Sequence, residues 1–196
     1  MTDDSQSQFS RPAAAESLAR RLPHLAGPLT PQGLLVLILT CLLDQASKLW
    51  LLFAFDLGHR GAVRLTPFLD LVLTWNTGIS YGWFQQEGLL GQWVLLGLKL
   101  AAVILLWIWL ARATSRLVAV SLGLIIGGAI GNALDRLAYG AVADFVFFHL
   151  DTATWRFAWY VFNLADVAIV AGVAGLLYDS IIGGTPQKRP DRNQDV

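Results

Sequence analysis

Two aspartates, Asp144 and Asp166, stand at the edges of long apolar stretches. Asp144 follows one stretch and Asp166 lies about one turn into the next, so they share one depth and one side if both stretches cross a bilayer. Two neighbouring carboxyl groups tend to share one proton. The ionised group can then activate a water molecule while the protonated group polarises a carbonyl. This division suits an aspartic peptidase, although a proton relay would place carboxylates in the same way.

Other polar residues lie inside the apolar stretches at helical spacings. Asp44 and Lys48 are four residues apart, so they share a helix face and can pair. A charge at the bilayer centre costs about 2.5–3.5 kcal/mol, which indicates either function or pairs that lock the helices together. The same argument applies to the polar residues of the later stretches: Asn132, Asp135, Arg136 and Asn163.

A Gly-x-Ser-x-Gly motif at residues 78–82 is typical of serine hydrolases. That chemistry needs an α/β sheet and a positioned histidine, and His24, His59 and His149 have no evident scaffold, so we disfavour it. The sequence contains no His-Glu-x-x-His motif. Its single cysteine, Cys41, lies in an apolar stretch, which excludes a disulfide framework. We therefore predict no metal and no cofactor.

The elements that position these residues are predicted to be membrane-spanning helices. The chain is 55% hydrophobic and 14% charged, with a mean hydropathy of +0.54, whereas soluble domains are roughly a quarter charged. Its net charge of zero excludes a disordered chain and a nucleic-acid binder that works through bulk basicity. A helix that spans a bilayer needs about 20 apolar residues. Four stretches qualify: 34–55, 89–110, 117–137 and 160–182.

The distribution of Lys and Arg predicts the orientation of these spans. Eight of them fall in the two polar ends and in the turn between the second and third spans, against four on the opposite side. Positive charge favours the cytoplasmic side, so both termini are predicted to be cytoplasmic and the loops 56–88 and 138–159 to face outward. The predicted organisation is a flexible tail (1–30), a four-span membrane domain (31–182) and a second tail (183–196), both tails cytoplasmic.

The outer loops carry their own pattern. Apolar and polar residues alternate over 68–75, which predicts a strand that lies over the membrane surface. The second outer loop, 138–159, is expected to act as a mobile flap. The predicted fold is therefore an all-α membrane protein, a four-transmembrane-helix bundle with a small extracytoplasmic β-like cradle and loop.

Four ordered blocks resemble the lipoprotein signal peptidase (signal peptidase II) family of bacterial membrane aspartic peptidases. Each block is weak alone, whereas four in this order across four spans are highly specific. Ala143 replaces the family's more usual branched residue, and the N-terminal tail is long. The blocks are LDQASK at 43–48, NTG at 76–78 running to Gly82, GNALDR through VADF at 131–145, and FNLAD at 162–166.

The resemblance implies a catalytic pair at Asp144 and Asp166 and cleavage of a signal peptide before a diacylglyceryl-modified cysteine, without a metal. It implies a multi-pass protein of the bacterial inner membrane with its active site near the extracytoplasmic face. The implied partners are prolipoprotein substrates and membrane lipids, with no nucleic acid, and the protein is expected to be a monomer. The residues expected to bind substrate or orient the pair are Asp44, Lys48, Asn76, Gly78, Asn132, Asp135, Arg136 and Asn163.

Two other classes of protein remain open from the residues alone. A channel or proton-coupled transporter would use Asp44, Lys48, Asp135 and Asp166 as a relay. A structural scaffold would use the same residues only for stability. Four spans without internal repeats are few for a transporter.

Overall fold

The computed structural model describes residues 26–77, 89–152 and 154–182, and for most of residues 89–99 it describes only the backbone. The first helix, α1 (Thr30–Leu49), continues into a π-helical turn, Trp50–Ala54. The helices are α1 (Thr30–Leu49), α2 (Leu57–Arg60), α3 (Leu89–Ala111), α4 (Arg116–Tyr139) and α5 (Leu164–Ile182). The strands are β1 (Val63–Thr66), β2 (Leu69–Asn76), β3 (Val142–Asp151) and β4 (Arg156–Phe162).

Within the described residues, three helices are long and apolar enough to cross a bilayer. Helix α5 exposes large apolar side chains such as Val170 (68%) and Ile181 (79%), as a lipid-facing helix must. Helix α3 covers the remaining predicted span with 23 residues, and its described apolar part is Leu100–Ala111. The three spans are Thr30–Ala54, Arg116–Tyr139 and Leu164–Ile182.

Helix α4 lies at the centre of the bundle, between α1 and α5. A Cβ atom added at Gly127 would lie 2.6 Å from the carbonyl oxygen of Leu37 in α1. A Cβ atom added at Gly128 would lie 2.5 Å from the carbonyl oxygen of Ala165 in α5. Neither position has room for a methyl group, so glycine lets both neighbouring backbones approach α4 closely. Gly127 and Gly131 are four residues apart and both face α1, since a Cβ atom added at Gly131 would meet Asp44.

The segments outside the helices form a four-stranded antiparallel sheet in the order β1-β2-β3-β4. The strand predicted at 68–75 is confirmed as β2, which pairs with β3 so that Thr74 lies opposite Asp144. The side chain of His149 ties β3 to β2 through Asp70 (Nε2 to Oδ2, 3.2 Å).

The outer loop expected at 138–159 is largely paired strand, because Val142–Asp151 and Arg156–Phe162 form the hairpin β3–β4. Both segments are rich in aromatic and branched residues, which favour strands. The protein is therefore a bundle of apolar helices with a small attached antiparallel sheet, so the predicted combination of membrane-span-like helices and a small β element is confirmed in outline.

The fourth span begins later than predicted. Residues 160–162 belong to β4, and α5 begins at Leu164. Asn163 precedes the helix and caps it: its Oδ1 accepts a hydrogen bond from the backbone N–H of Asp166 (3.0 Å), and its own N–H donates to Asp166 Oδ2 (3.2 Å). This reciprocal arrangement is a capping box. It fixes the start of α5 at Leu164.

Two local features join the sheet to the bundle. Gly140 ends α4 with φ +76°, a left-handed conformation that glycine adopts without strain, and its N–H donates to the carbonyl of Arg136 (3.0 Å). The chain then turns directly into β3. Leu51, Leu57 and Phe145 form a buried apolar cluster that packs the sheet against the end of α1. Strand β3 is thus held at a fixed place beside the helix ends.

Candidate active site

Asp144 and Asp166 meet around Asn163. Asp144 lies in β3 and Asp166 in the first turn of α5, so sheet and bundle each supply one carboxylate. Asn163 Nδ2 donates to Asp144 Oδ1 (2.6 Å), while the backbone N–H of Asn163 donates to Asp166 Oδ2. The structure therefore brings together the two aspartates that the topology argument paired, and one residue bridges them.

Two more asparagines complete the hydrogen bonds of the carboxylates. Asn76, at the end of β2, donates through Nδ2 to Asp144 Oδ2 (3.0 Å). Asn132, in α4, donates to Asp166 Oδ1 (2.9 Å), and its Oδ1 accepts from Asn163 Nδ2 (3.0 Å). All three side-chain donors are neutral amides, so the carboxylates have no direct cationic partner among the described hydrogen bonds and ion pairs. This environment suits a pair that holds one proton.

The two carboxyl groups differ in their surroundings. Asp144 is buried (2% exposed), and this burial raises its pKa. The hydrogen bonds from Asn76 and Asn163 lower the pKa of Asp144, the negative charge of Asp166 raises it, and Lys48 lowers it; the net shift is upward. Asp166 is less buried and lies in the first turn of α5, where the helix dipole favours negative charge. Asp144 is therefore the carboxyl group of the two whose surroundings favour the neutral form.

A buried ionic cluster lies beneath this pair. Lys48 Nζ lies 2.8 Å from Asp44 Oδ2 and 2.8 Å from Asp135 Oδ2, so the pairing of Asp44 with Lys48 expected from their spacing is present. The three side chains are at most 2% exposed. Lys48 also donates to Asn132 Oδ1 (3.0 Å), which links the cluster to the carboxylate pair.

Several sequence-based candidates have other surroundings. Arg136 Nη1 donates to the backbone carbonyl of Asn132 (3.1 Å), so its described contact is with its own helix rather than with a carboxylate. Gly78 and the rest of the Gly-x-Ser-x-Gly motif lie outside the described residues. In the part of the chain that the structure describes, no cluster of His, Cys, Asp or Glu could hold a metal ion.

Sequence reasoning overlooked one residue of the cluster, Gln45. Its Nε2 lies 2.9 Å from Asp135 Oδ1 and 3.2 Å from Asp44 Oδ2. The available signal was its place inside the first block, next to Asp44. A search at spacings of three and four residues does not find it.

The fold is similar to that of two solved bacterial membrane enzymes. A solved bacterial membrane enzyme aligns with this chain at a TM-score of 0.64 and 21% sequence identity, over 87% of this chain and 99% of that one. A second solved bacterial membrane enzyme gives the same TM-score and identity over 83% of this chain and 99% of its own. These similarities concern the fold alone.

The sequence gives the family. Residues 36–182 match the family model described as Signal peptidase (SPase) II. A lipoprotein signal peptidase of Nitrobacter hamburgensis is 63% identical over 158 residues, which are 81% of this chain and 96% of the relative. One of Methylorubrum extorquens is 61% identical over 149 residues, 76% of this chain and 85% of the relative. The chain belongs to the signal peptidase II family, and the predicted class, a membrane peptidase of the aspartic type, is confirmed.

Proposed function

We propose that this peptidase removes signal peptides from prolipoproteins by cutting the bond before a diacylglyceryl-modified cysteine, with Asp144 and Asp166 as the catalytic pair. The observation that carries the assignment of the pair is the bridge through Asn163, which bonds to both carboxylates at once. The substrate class follows from the lipoprotein signal peptidases that this chain resembles over most of its length.

The chemistry follows from the different surroundings of the two acids. Asp166, as the carboxylate, takes a proton from a water molecule as the water oxygen attacks the scissile carbonyl carbon. Asp144, as the neutral acid, donates a hydrogen bond to the carbonyl oxygen, where negative charge develops. When the tetrahedral intermediate breaks down, the C–N bond cleaves and the leaving nitrogen receives a proton from the pair. Water thereby supplies the hydroxyl of the new carboxyl end and the hydrogen of the new amine.

The asparagines keep this pair in position. Asn163 and Asn132 hold Asp166 from two directions, and Asn76 holds the second oxygen of Asp144. These fixed neutral donors restrict rotation of the carboxyl groups. They lower the pKa of Asp144, but burial outweighs them and its net shift stays upward.

The membrane placement that we propose has both termini in the cytoplasm and the sheet as a cradle over the extracytoplasmic ends of a four-span bundle. In this orientation the carboxylate pair lies at the outer interface. A substrate with an apolar helix and a lipid chain then arrives laterally through the bilayer, while water reaches the pair from outside. A monomer suffices, because one chain supplies both carboxylates and their described donors.

The buried charges argue against a transporter. Lys48 Nζ lies 2.8 Å from a carboxylate oxygen of Asp44 and 2.8 Å from one of Asp135. A relay needs groups that exchange protons along a path, whereas one ammonium group here holds both carboxylates in a single buried cluster. A structural role for this set is compatible with a peptidase.

The test is cleavage of a diacylglyceryl-modified precursor by the purified full chain. Asp144→Asn and Asp166→Asn are each expected to lower kcat by about a hundred- to ten-thousandfold, the usual contribution of a general acid or base. Asp179→Asn is the matched control, because Asp179 also lies in α5 but bonds to Ser115 near the start of α4. An unlipidated precursor should remain uncut. Rapid cleavage by either variant of the pair would overturn the assignment.

A further inference from the structure

We infer that Gln45 is a positioning residue for the two aspartates, acting through Asp44 and Asp135 without contact with the substrate. The inference rests on the proposed roles of Asp144 and Asp166. It gives the buried ionic cluster a role beyond the pairing of Lys48 with two carboxylates.

The two carboxylates of the cluster make equivalent contacts with the active-site backbone. Asp44 Oδ1 accepts a hydrogen bond from the N–H of Ala165 (3.0 Å), the residue before Asp166. Asp135 Oδ2 accepts from the N–H of Ala143 (3.1 Å), the residue before Asp144. Each proposed catalytic aspartate is thus preceded by a residue whose amide a second aspartate holds.

Lys48 and Gln45 tie these two carboxylates together. Lys48 Nζ contacts both of them, and on Asp135 it uses Oδ2, the oxygen that also accepts from the Ala143 amide. Gln45 Nε2 contacts the other oxygen, Asp135 Oδ1, at 2.9 Å. Lys48 therefore sets the separation of the carboxylates, whereas Gln45 sets the rotation of the Asp135 carboxylate about its Cβ–Cγ bond.

Contacts with both α1 and α4 hold the side chain of Gln45 in place. Its Nε2 also donates to the backbone carbonyl of Gly131 (3.1 Å), at the point where α1 and α4 approach closely. Asp44 and Asp135 are 0% and 1% exposed, so bulk water has little access to replace a lost donor. In this environment a carboxylate that loses a hydrogen bond moves toward another donor. Movement of the Asp135 carboxylate displaces the Ala143 amide that is hydrogen-bonded to it. Asp144, the next residue of β3, is displaced with Ala143.

The test is the steady-state kinetics of Gln45→Met, which keeps the length of the side chain and removes the amide donor. We expect kcat to fall about tenfold or more with KM unchanged, since a displacement of about 1 Å near the chemistry can cost a hundredfold. The bell-shaped pH profile of kcat/KM should also narrow, because two carboxylates that move apart perturb each other less. A change in stability alone moves neither quantity once rates are expressed per folded molecule.

Ser47→Ala is the matched control, because Ser47 lies on the same turn of α1 and bonds only to the carbonyl of Asp44 (2.7 Å) among its described contacts. It should keep the wild-type kcat and pH profile. The second variant is Gln45→Glu, which retains the polar shape but sets a third carboxylate against Asp44 and Asp135. Its kcat should fall at least as far as that of Gln45→Met.

Wild-type kcat per folded molecule in either Gln45 variant, or a rise in KM without a fall in kcat, overturns the inference. The quantity of folded enzyme is measured by binding of a non-cleavable lipidated peptide. Failure of the proposed catalytic pair gives a different result, because Asp144→Asn would then still cleave the lipidated precursor. If Asp144→Asn is inactive and Gln45→Met is fully active, the catalytic pair stands and the positioning role falls.

Discussion

Gly131 is a position where a single added methyl group would press directly on the buried ionic cluster beside the candidate active site. A Cβ atom added there would lie 2.5 Å from Asp44 Oδ2 and 3.2 Å from Asp44 Cγ. The carboxylate cannot swing freely away, because Lys48 holds Oδ2 at 2.8 Å and the Ala165 amide holds Oδ1 at 3.0 Å. In Gly131→Ala, the methyl group and the carboxylate therefore compete for one place.

The size of the effect follows from these distances. Ordinary contact between heavy atoms needs about 3.5 Å, so the Asp44 carboxylate or helix α4 must shift by about 1 Å. Overpacking of this kind costs about 1–3 kcal/mol of unfolding free energy. A shift of this size passed through Ala165 to Asp166 should reduce kcat by about a hundredfold. A hundredfold fall in kcat corresponds to about 2.7 kcal/mol of activation free energy, so the losses of activity and of stability are expected to be comparable in size.

The assay compares cleavage of a diacylglyceryl-modified precursor with unfolding in a graded denaturing detergent. Gly97→Ala is the control, since no atom lies within 4 Å of a Cβ added at Gly97 in α3. It should retain full activity and gain up to about 1 kcal/mol from helix propensity. If Gly131→Ala keeps wild-type kcat, the Asp44 carboxylate is not fixed as described, and the reasoning from its contacts fails.

Two further predictions concern stability. The pKa of Asp144 is raised in the folded protein, so protonation of Asp144 stabilises the fold. This stabilisation is complete below the usual pKa of an aspartate and is lost as the pH rises through the pKa of Asp144 in the folded state. Asp144→Asn should abolish the pH dependence of the unfolding free energy that comes from this group. Ser115 caps α4 and donates to Asp179 Oδ1 (2.9 Å), so Ser115→Ala should lose about 1 kcal/mol in the detergent titration while kcat stays unchanged.

Topology and local spacing predicted the centre of the site. Counting spans placed Asp144 and Asp166 at one depth, because a helix of about 20 residues returns the chain to a defined side of the bilayer. The spacing of three residues between Asn163 and Asp166 also indicated proximity. In the structure this proximity has a different cause: Asn163 and Asp166 form the N-terminal cap of α5 and do not share a face within the helix.

Long-range pairing was beyond such arguments. Asn76 reaches Asp144 only because β2 pairs with β3 in one particular register. The sequence-based prediction for the region of β3 is a mobile loop, which gives no register. Helix packing is equally inaccessible to such arguments. Spacing alone predicts the pairing of Lys48 with Asp44, whereas the contact of Lys48 with Asp135 depends on the close approach of α4 to α1 that glycine permits. Periodicity describes one element at a time, and these contacts join two.

Because the side-chain donors to both carboxylates are asparagines, slow chemical breakdown of these residues would limit how long the site stays intact. Asparagine is a thermolabile residue, because deamidation slowly converts its amide into an acid. At Asn76, Asn132 or Asn163 the product would be a third carboxylate beside Asp144 and Asp166, the proposed catalytic pair. The reaction requires the backbone to bend toward the side chain, which the helix restrains at Asn132 and the cap restrains at Asn163. Asn76 is exposed at the end of β2, so ageing of the enzyme should begin there.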